Sequence, residues 1–347
     1  MPDLYVTNFN RNFTGVSATA ANVVRQQMRL HDLRLVGHPL PGAPDPITRA
    51  EARSLSRIPP DGKPFPIWHV RRNPEMRVAL WARDVARLPI RIVFTSAAQR
   101  LHSAYPRLLI SRMDAVIATT EAAAEFVPHV RAVVPHGVDT ELFHSAADRT
   151  QDWRDQGFGG TLGIATIGRI RPEKGTDLFV DAMLRLLPEL PGATALVIGR
   201  AGKEHRGFQA SLEAKIRAAG LSERILFPGE ISAEALPALM RSLSLVMQLP
   251  RYEGYGMVPL EAMASGVPFI ATQTGYYQSF SAQGRSGIVV ALEDASGAAR
   301  AAQALLSDPD RYTAMATACR DVAQSSFSAS AEATGIEAVY QALWNNA

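Results

Sequence analysis

Residues 161–199, TLGIATIGRIRPEKGTDLFVDAMLRLLPELPGATALVIG, contain one complete strand–helix–strand unit. Thr161–Ile167 and Ala193–Ile198 are short apolar runs, and each is followed by a glycine, which is typical of buried strands. Between them, Thr176–Leu187 has apolar residues at helical spacing and stops at a proline. Two buried strands joined by a helix predict a parallel pair, because parallel strands need a long crossover connection.

The same alternation continues toward the C-terminus and occurs less regularly in the first half of the chain. In the second half we predict the strands Arg224–Phe227, Leu243–Leu249 and Pro268–Thr272, and the helices Phe208–Ala219, Ala233–Arg241 and Pro259–Ser265. In the first half we predict the strands Leu4–Thr7, Leu33–Val36, Ile90–Phe94, Ala115–Ala118 and Ala132–Val134, and the helices Val16–Leu30, Glu75–Ala86 and Thr120–Phe126. Strands separated by helices at this rhythm favour the α/β class with parallel, doubly wound sheets.

The length of 347 residues is sufficient for two domains of ordinary size. A hydrophobic content of 47% supports folded cores rather than disorder. We expect the proline-rich stretch 39–66 to be an extended loop and the polar segment Phe143–Gly160 to link the two halves. The tail Ala329–Trp344 is amphipathic and has no strand after it.

Positive charge is concentrated in the first half of the chain. Residues 1–150 hold 19 Lys and Arg against 13 Asp and Glu, whereas the remainder holds 17 against 20. Between Arg49 and Arg112 there are 13 basic and only four acidic residues. The asymmetry indicates an anionic partner for this half. Compositional bias is the alternative, since 32 of the 36 basic residues are arginine.

The sequence also bears on compartment and on metals. It has no apolar run of 18 residues or more, and polar residues occupy the N-terminus where a signal peptide would be apolar, so we expect a cytoplasmic protein. The single cysteine, Cys319, excludes an internal disulfide. The acidic pair in Asp308-Pro-Asp310 is interpreted as the end of one helix and the start of another, and we expect no metal.

Two segments have the residue types of a binding site for a phosphorylated ligand. In Glu253-Gly-Tyr-Gly-Met-Val-Pro-Leu-Glu261, the glycines allow close approach of a ligand to the backbone, and a helix predicted to begin at Pro259 would present free N–H groups to an anion. The two carboxylates suit the hydroxyls of a ribose and a sugar. The alternative is a solvated Glu253 and a Glu261 that only complements the helix dipole.

The second segment is Gly168-Arg-Ile-Arg-Pro-Glu-Lys-Gly175, directly after the predicted strand Thr161–Ile167. It places Arg169 and Lys174 at the carboxyl edge of the sheet, where an arginine fork and a lysine charge can hold phosphate oxygens. Taken alone, a solvated basic loop would be the simpler interpretation. Neither a dinucleotide-binding fingerprint nor a Walker loop is present in the sequence.

With further motifs, these segments resemble a known family. His-Gly-Val-Asp at 136–139, Gly-Arg at 168–169, Lys-Gly at 174–175, the Glu-x7-Glu frame from Glu253 and Ala-Ser-Gly-Val-Pro at 264–268 occur in this order. The chain resembles the retaining GT-B glycosyltransferases of family 4, well over residues 114–340 and more loosely before. The resemblance implies two Rossmann-like domains facing across a cleft: residues 1–150 for the acceptor and 151–327 for the nucleotide-sugar, with 328–347 as a helix packing back on the first domain.

The resemblance also assigns roles to residues. It implies that Arg169 and Lys174 hold the donor pyrophosphate, that Glu253 contacts the transferred sugar and that Glu261 contacts the ribose. Arg169, Lys174 and Glu253 are then the catalytic candidates. The expected donor-binding residues are Gly15, in the N-terminal glycine-containing loop, Arg169, Lys174, Glu253, Gly254, Tyr255, Gly256, Met257, Val258 and Glu261.

Two positions depart from the family pattern. Many members have a histidine near the reacting sugar where this chain has Thr95-Ser96, and the usual Gly-Gly-Glu pattern is Gly275-Tyr-Tyr-Gln-Ser here. Acceptor contacts are expected from His69, Arg71, Arg72 and Ser96, although His69 could equally be an ordinary residue at a strand end and His136 is interpreted as structural.

Within the family, the segments Phe-Thr-Gly-Val-Ser at 13–17 and Trp-His-Val-Arg-Arg-Asn at 68–73 look similar to bacterial lipopolysaccharide-core mannosyltransferases, which use GDP-mannose. This implies α-mannosyl transfer to an anionic, lipid-linked glycan, without a cofactor, with peripheral contact at the inner face of the cytoplasmic membrane. The alternatives are a UDP-sugar donor and a catalytically silent GT-B subunit. No motif supports nucleic-acid binding.

Overall fold

The computed structural model describes residues 1–12 and 14–346, so Phe13 of the resembling N-terminal segment lies outside the described residues. The chain forms two compact units. Unit 1 comprises Met1–Gly137 and Phe327–Ala347, and unit 2 comprises Val138–Ser326.

The first part of unit 1 alternates strands and helices around one parallel sheet. The strands are β1 (Leu4–Asn8), β2 (Leu33–Gly37), β3 (Ile67–Val70), β4 (Arg91–Ser96), β5 (Ala115–Ala118) and β6 (Val130–Val133), and the helices are α1 (Gly15–Gln27), α2 (Arg49–Leu55), α3 (Asn73–Leu80), α4 (Ala104–Ile110) and α5 (Glu121–Ala124). Among the described residues the strand order is β2-β1-β3-β4-β5-β6, and neighbouring strands are parallel. From β1 the chain crosses to β2 on one side, whereas β3 and the later strands extend the sheet on the other side. The boundary between β1 and β3 is therefore a topological switch point.

Unit 2 has the same construction. In chain order it contains α6 (Arg149–Asp155), β7 (Leu162–Ile167), α7 (Thr176–Leu186), β8 (Ala193–Ile198), α8 (Arg206–Ala218), β9 (Ile225–Gly229), α9 (Leu236–Ser242), β10 (Leu245–Gln248), α10 (Met257–Ala264), β11 (Phe269–Thr272), α11 (Tyr277–Phe280), β12 (Gly287–Val290), α12 (Ala295–Leu306) and α13 (Pro309–Ser326). Within the part of the chain that the structure describes, the order is β12-β11-β10-β7-β8-β9, all parallel. The predicted parallel, doubly wound sheet is confirmed, and its switch point lies between β7 and β10.

The last helix, α14 (Ala329–Asn345), returns to unit 1, as predicted. Its buried face packs on one side of the sheet through Ile336, Val339, Tyr340 and Trp344. The indole of Trp344 donates to the carbonyl of Phe65 over 2.9 Å. These contacts make the end of the chain part of the hydrophobic core of unit 1.

The boundary between the units lies earlier than the predicted residue 150. Arg320 on α13 donates to the carbonyls of Thr140 and Phe143 over 2.7 Å, which holds this segment in unit 2. The segment Phe143–Gly160 is also more than a linker, because it contains α6. The ring of Trp153, on that helix, is buried beside Gly163 of β7, where a side-chain carbon would come within 2.2 Å of it.

Other local predictions need correction. The stretch 39–66 is not one extended loop, since it contains α2, whose start is stabilised by reciprocal hydrogen bonds between Thr48 and Glu51. The predicted helix Glu75–Ala86 is α3 followed by a π-helical turn at Trp81–Val85. The sequence did not predict α4, β3 or β12, because a run of four residues such as β3 is too short to show a period.

Several smaller predictions can be compared with the structure. The acidic pair of Asp308-Pro-Asp310 does separate two helices, since α12 ends at Leu306 and α13 begins at Pro309. Cys319 is fully buried. Among residues 1–12 and 14–346, no cluster of three or more His, Cys, Asp or Glu could hold a metal, and no helix is long and apolar enough to cross a membrane.

Candidate active site

The two segments singled out from the sequence follow the strands at the switch point of unit 2. Gly168–Gly175 follows β7, and the residues 250–256 follow β10, its neighbour in the sheet. In open α/β sheets, ligands bind in the crevice outside the carboxyl ends of the strands at such a point. The fold thus gathers both segments where a ligand is expected.

Lys174 and Glu253 are brought into direct contact there. The Nζ atom of Lys174 lies 2.5 Å from Oε2 of Glu253, and the two side chains are 25% and 20% exposed. The loop that carries Lys174 lies tightly on the end of β10: Gly175 has φ of 65°, and a side-chain carbon there would lie 1.7 Å from the carbonyl oxygen of Leu249. Only glycine fits this position.

Arg251, which no sequence motif singles out, holds the two loops together. Its guanidinium binds both carboxylate oxygens of Asp177 over 2.9 and 2.8 Å and also contacts Glu293. Burial alone would raise the pKa of Asp177, but the hydrogen bonds and charge of Arg251 lower it. The backbone N–H of Arg251 also donates to the carbonyl of Glu173 over 3.0 Å. Nothing in the local sequence distinguishes this arginine from a solvated one.

Arg169 lies at the same edge but is not part of this ion-pair network. It is exposed at the end of β7 and has no side-chain hydrogen bond or ion pair within the described residues. The preceding Gly168 has φ of 151°, and a side-chain carbon on Gly199 would come within 1.9 Å of its carbonyl oxygen. The close packing of these two glycines places the Arg169 backbone at the rim of the crevice.

Helix α10 begins at Met257, two residues before the predicted Pro259, so Glu261 lies just beyond the first turn and not within it. Gly254, Tyr255 and Gly256 lie directly before α10, and Met257 and Val258 are its first two residues. The N–H groups at the start of a helix have no partner within the helix and can therefore bind an anion. Glu261 is half-buried and has no hydrogen-bonding partner for its carboxylate among the described residues. Burial raises the pKa of Glu261 to about 7.

The residues after β11, which depart from the family pattern, pack against the same loop. A side-chain carbon on Gly256, whose φ is 95°, would lie 2.1 Å from the ring of buried Tyr277. The Tyr276 ring stacks on Tyr255 with centroids 5.5 Å apart, and the Tyr276 N–H donates to the Tyr255 carbonyl over 2.9 Å. Aromatic packing from Tyr276 and Tyr277 therefore shapes the approach to α10, a role that sequence spacing did not reveal.

In unit 1, the predicted residues fall at the carboxyl edge of the sheet, with different surroundings. Gly15 is the first residue of α1, and no atom of residues 1–12 or 14–346 lies within 4 Å of the position of a side-chain carbon there. Arg72, a predicted acceptor contact, has its guanidinium bonded within unit 1: it donates to Asn8, Glu75, Thr14 and Ser17 over 2.9 to 3.2 Å. These bonds use Arg72 to fix the start of α1 beside β1.

His69 is also a correction, because the structure places it in the core. The side chain has no exposure, Nδ1 lies 2.5 Å from the Tyr340 hydroxyl and Nε2 lies 2.7 Å from Oγ1 of Thr95. Burial, with a contribution from the charges of Arg71 and His136, holds the pKa of His69 well below its usual value. A neutral His69 thus ties α14 to β3 and β4, and both of its ring nitrogens are used inside the core.

The remaining two predicted acceptor residues are buried too. Arg71 directly follows β3 and is 7% exposed, and Ser96 ends β4 and is 2% exposed. His136 is structural, as interpreted from the sequence: its Nδ1 lies 2.7 Å from Oε1 of Glu332 on α14. Because Arg71 is buried, not all of the excess arginines of this half lie on the surface.

Comparison with known proteins identifies the family. The model of the family described as glycosyl transferases group 1 matches residues 149–322. The chain is 37% identical, over 98% of its length and 97% of the relative's, to the Rhizobium meliloti (strain 1021) protein named lipopolysaccharide core biosynthesis mannosyltransferase LpsB. It is 38% identical, over 99% and 98%, to the protein named lipopolysaccharide core biosynthesis mannosyltransferase LpcC of Rhizobium leguminosarum bv. viciae. The chain belongs to the group 1 glycosyl transferases.

The fold is shown by solved structures as well. Anabaena HepE, solved in complex with UDP and glucose, aligns with a TM-score of 0.81 and 16% identity over 98% of this chain and all of that one. The predicted GT-B fold class and family resemblance are confirmed, and this group 1 glycosyltransferase is an enzyme. The roles given to Arg169, Lys174, Glu253 and Glu261 stay predictions.

Proposed function

We propose that the protein transfers an α-mannosyl group, with retention, from GDP-mannose to an anionic, lipid-linked glycan of the lipopolysaccharide core. Support for the sugar and the acceptor class comes from the names of the two full-length relatives. Support for a nucleotide-sugar site comes from unit 2, where the Lys174–Glu253 pair lies at the switch point between β7 and β10. That contact between the two motif segments is the observation on which the proposal rests.

In the proposed site, Lys174 and Arg169 bind the pyrophosphate, and the N–H groups of Met257 and Val258 add partial positive charge. Glu253 accepts hydrogen bonds from the transferred sugar, while Glu261 accepts from the ribose. Lys174 connects the sugar-binding and phosphate-binding residues, because it is in contact with Glu253 and would also bind phosphate. It can thereby link the position of the sugar to the position of its leaving group.

The proposed reaction is a front-face displacement. The bond from the anomeric carbon of the mannose to the diphosphate oxygen breaks, and a bond from that carbon to the acceptor oxygen forms on the same face. The acceptor proton passes to a diphosphate oxygen. Negative charge develops on the leaving diphosphate, where Arg169, Lys174 and the start of α10 stabilise it. The protein uses neither a metal nor a cofactor in this proposal.

The acceptor location is the second part of the proposal. A peripheral position at the cytoplasmic face of the membrane is supported by the basic excess between Arg49 and Arg112. It is also supported by exposed apolar side chains at and before α4, namely Leu101, Tyr105 and Leu108. Apolar and basic groups on one element are typical of proteins that lie on an anionic lipid surface.

A ligand panel followed by kinetics tests the donor assignment. GDP and GDP-mannose should raise the unfolding temperature more than UDP, ADP and their sugars, since a tighter ligand stabilises more by mass action. Arg169→Ala and Lys174→Ala should each lower kcat/KM for mannosyl transfer by about 10²-fold or more. The exposed Arg185 and Lys203, also in unit 2, provide matched alanine controls that should keep wild-type rates.

Two results would contradict the proposal. A clear preference for UDP-sugars over GDP-mannose would replace the donor but keep the glycosyltransferase. Wild-type kinetics in both Arg169→Ala and Lys174→Ala would remove the pyrophosphate site itself.

A further inference from the structure

Arg71 lies at the switch point of unit 1. It is the residue directly after β3, and β3 neighbours β1, from which the chain crosses to β2 on the other side. The loops after β1 and β3 therefore leave the sheet edge in different directions, which is the topology that creates a ligand crevice in open α/β sheets. A ligand-binding role for Arg71 is consistent with this place in the fold.

The guanidinium of Arg71 is buried and unpaired. The residue is only 7% exposed, and its Nε, Nη1 and Nη2 atoms all lack a hydrogen-bonding partner among the described residues. An arginine keeps its charge in a protein and offers five N–H donors in a planar fork. Charged groups are rarely buried unless they are paired, so three buried nitrogens without acceptors indicate a ligand that supplies them.

The neighbouring carboxylates do not fill this need, because other donors occupy them. Glu75 accepts from three backbone N–H groups and from the side chain of Arg72, over 2.8 to 3.1 Å. Glu332 accepts from His136 and from one backbone N–H, both over 2.7 Å. Neither carboxylate hydrogen-bonds the guanidinium of Arg71 within the described part of the chain.

Other buried polar atoms without partners lie at the same edge of the sheet. They are the hydroxyls of Ser96, which ends β4, and Thr119, which follows β5. The N–H of Thr119 donates to the carbonyl of Ser96 over 3.0 Å, so the two residues are adjacent across the strands. Hydroxyl groups can donate to an anionic oxygen. The neutral His69, two residues before Arg71, adds no second positive charge.

We propose that Arg71 is the receptor of a buried anion site in unit 1, which takes one carboxylate or phosphate group of the acceptor glycan. A planar guanidinium can bind two oxygens of either group at once. The proposal rests on the proposed function in one respect, that the anion belongs to the acceptor. Specificity then comes from one buried contact and not from the general arginine excess of this half.

Binding of small anions to the protein without donor tests the site. The probes are inorganic phosphate, methyl α-mannoside 6-phosphate, the methyl glycoside of a hexuronic acid and the methyl ester of that acid. The wild type should bind the phosphate or the carboxylate probe and gain thermal stability, whereas the neutral ester should have no effect. Whichever anionic sugar binds more tightly distinguishes a phosphate from a carboxylate source.

Three variants give the site its control. Arg71→Met should lose the anion-dependent stabilisation and weaken binding at least about tenfold. Its unfolding temperature without anion should be higher than that of the wild type, because the unpaired buried charge is gone. Arg71→Lys, which keeps the charge without the fork, should bind with intermediate affinity. Arg77→Met removes an exposed arginine of the same unit and should behave as wild type.

The opposite results would overturn the site. A fall in the unfolding temperature of Arg71→Met with anion binding intact would make Arg71 a structural residue. Equal binding of the acid and its ester, or no binding of any anion by the wild type, would also exclude the site. Because no arm uses the donor, failure of mannosyl transfer and failure of the anion site are separate outcomes.

Discussion

At the scale of single residues, the contact between Lys174 and Glu253 joins positions that are 79 residues apart in the chain. In the free protein the pair neutralises itself, so the positive charge offered to a pyrophosphate is reduced by the neighbouring carboxylate. Glu261 has no such partner among residues 1–12 and 14–346, and burial raises its pKa to about 7. The two carboxylates of the frame therefore differ in surroundings, one ion-paired with lysine and the other buried, which makes their roles separable.

Glu253→Gln and Glu261→Gln should have opposite effects on nucleotide binding. In Glu253→Gln, turnover should fall, while GDP should bind more tightly, because Lys174 loses its competing partner and the phosphates lose a like charge. In Glu261→Gln, GDP-mannose should bind more weakly at pH 8 by about 1.5–3 kcal/mol, the energy of a charge-assisted hydrogen bond. Calorimetry and transfer rates measure both effects.

The raised pKa of Glu261 adds a signature in pH. Ribose hydroxyls that donate to the carboxylate favour its charged form, so binding lowers the pKa and GDP-mannose should bind better as the pH rises from 6 to 8. At pH 6 binding should release protons, which calorimetry in two buffers of different ionisation enthalpy detects. Proton release that persists in Glu261→Gln would place the titrating group elsewhere.

At the scale of elements, the start of α10 depends on α11. Gly256 precedes α10 with a left-handed backbone, and the ring of Tyr277, the first residue of α11, occupies the place of a side chain. The helix N-terminus is thus positioned by packing from the following strand–helix connection. Gly220, after α8, is also left-handed, with φ of 71°, but no atom of the described residues lies within 4 Å of a side-chain carbon there.

This pair of glycines separates backbone strain from steric overlap. Gly220→Ala should lower the free energy of unfolding by about 1–2 kcal/mol, the cost of a left-handed conformation in a residue with a side chain. Gly256→Ala should cost about 1–3 kcal/mol more, since Tyr277 must move, and should weaken GDP-mannose binding. Denaturant unfolding measures the stability of both variants, and calorimetry measures the binding of GDP-mannose. Equal costs for the two variants would contradict the packing argument.

A second element-scale feature connects β1, the turn after α1 and α14. His31 bonds Asp3 through Nδ1 over 3.0 Å and Glu337 through Nε2 over 2.6 Å. Lys63 also bonds Asp3 and lies 3.7 Å above the ring of Trp344. Burial alone would lower the pKa of His31, but the two carboxylates outweigh it and raise the pKa to about 9.

The sign of the pH effect follows from that shift. The folded pKa of His31 lies above its unfolded value of 6.5, so the stabilisation is complete below pH 6.5 and is lost as the pH rises through 9. Between these values the wild type should lose up to about 3 kcal/mol of unfolding free energy. His31→Gln should lose far less, and His144→Gln, at an exposed site, should follow the wild type. Identical pH profiles for His31→Gln and wild type would contradict this assignment.

At the scale of the whole molecule, charge is divided unevenly between the two halves of the chain. The excess in residues 49–112 includes Arg71, which is buried, Arg72, whose guanidinium is hydrogen-bonded to β1, and exposed residues such as Arg107 and Arg112. Only exposed arginines can attract a lipid surface. Reversal of Arg71 or Arg72 would therefore disturb the fold rather than test membrane binding.

Sedimentation with vesicles of anionic lipid tests the surface contribution. Binding should fall steeply with salt, because surface charges are screened over about 8 Å at physiological ionic strength. The double change Arg107→Glu and Arg112→Glu should weaken sedimentation and spare slow donor hydrolysis, whereas Arg185→Glu, exposed in unit 2, should have little effect. Binding that ignores both salt and these changes would show that the arginine excess is compositional bias.

The sequence alone determined the α/β class, the parallel sheets and the two segments that meet at the crevice of unit 2. It could do so because burial of a strand or a helix requires apolar residues at a fixed spacing. A loop that directly follows a predicted strand must also lie at the carboxyl end of that strand. Apolar spacing did not predict the helix start at Met257 or the helix α2, since helix ends and short elements depend on few residues.

Only the tertiary structure decided which charged side chains hydrogen-bond to other residues of the chain and which do not. Nothing in the Arg71-Arg72 pair indicates that Arg72 is bonded to the start of α1 and that Arg71 is buried without a partner in the described part of the chain. His69 pairs with Tyr340, 271 positions away, on a helix that the chain adds last. Sequence periodicity specifies the face on which a side chain lies, but the hydrogen-bonding partner of a buried group is supplied by whichever distant element packs there.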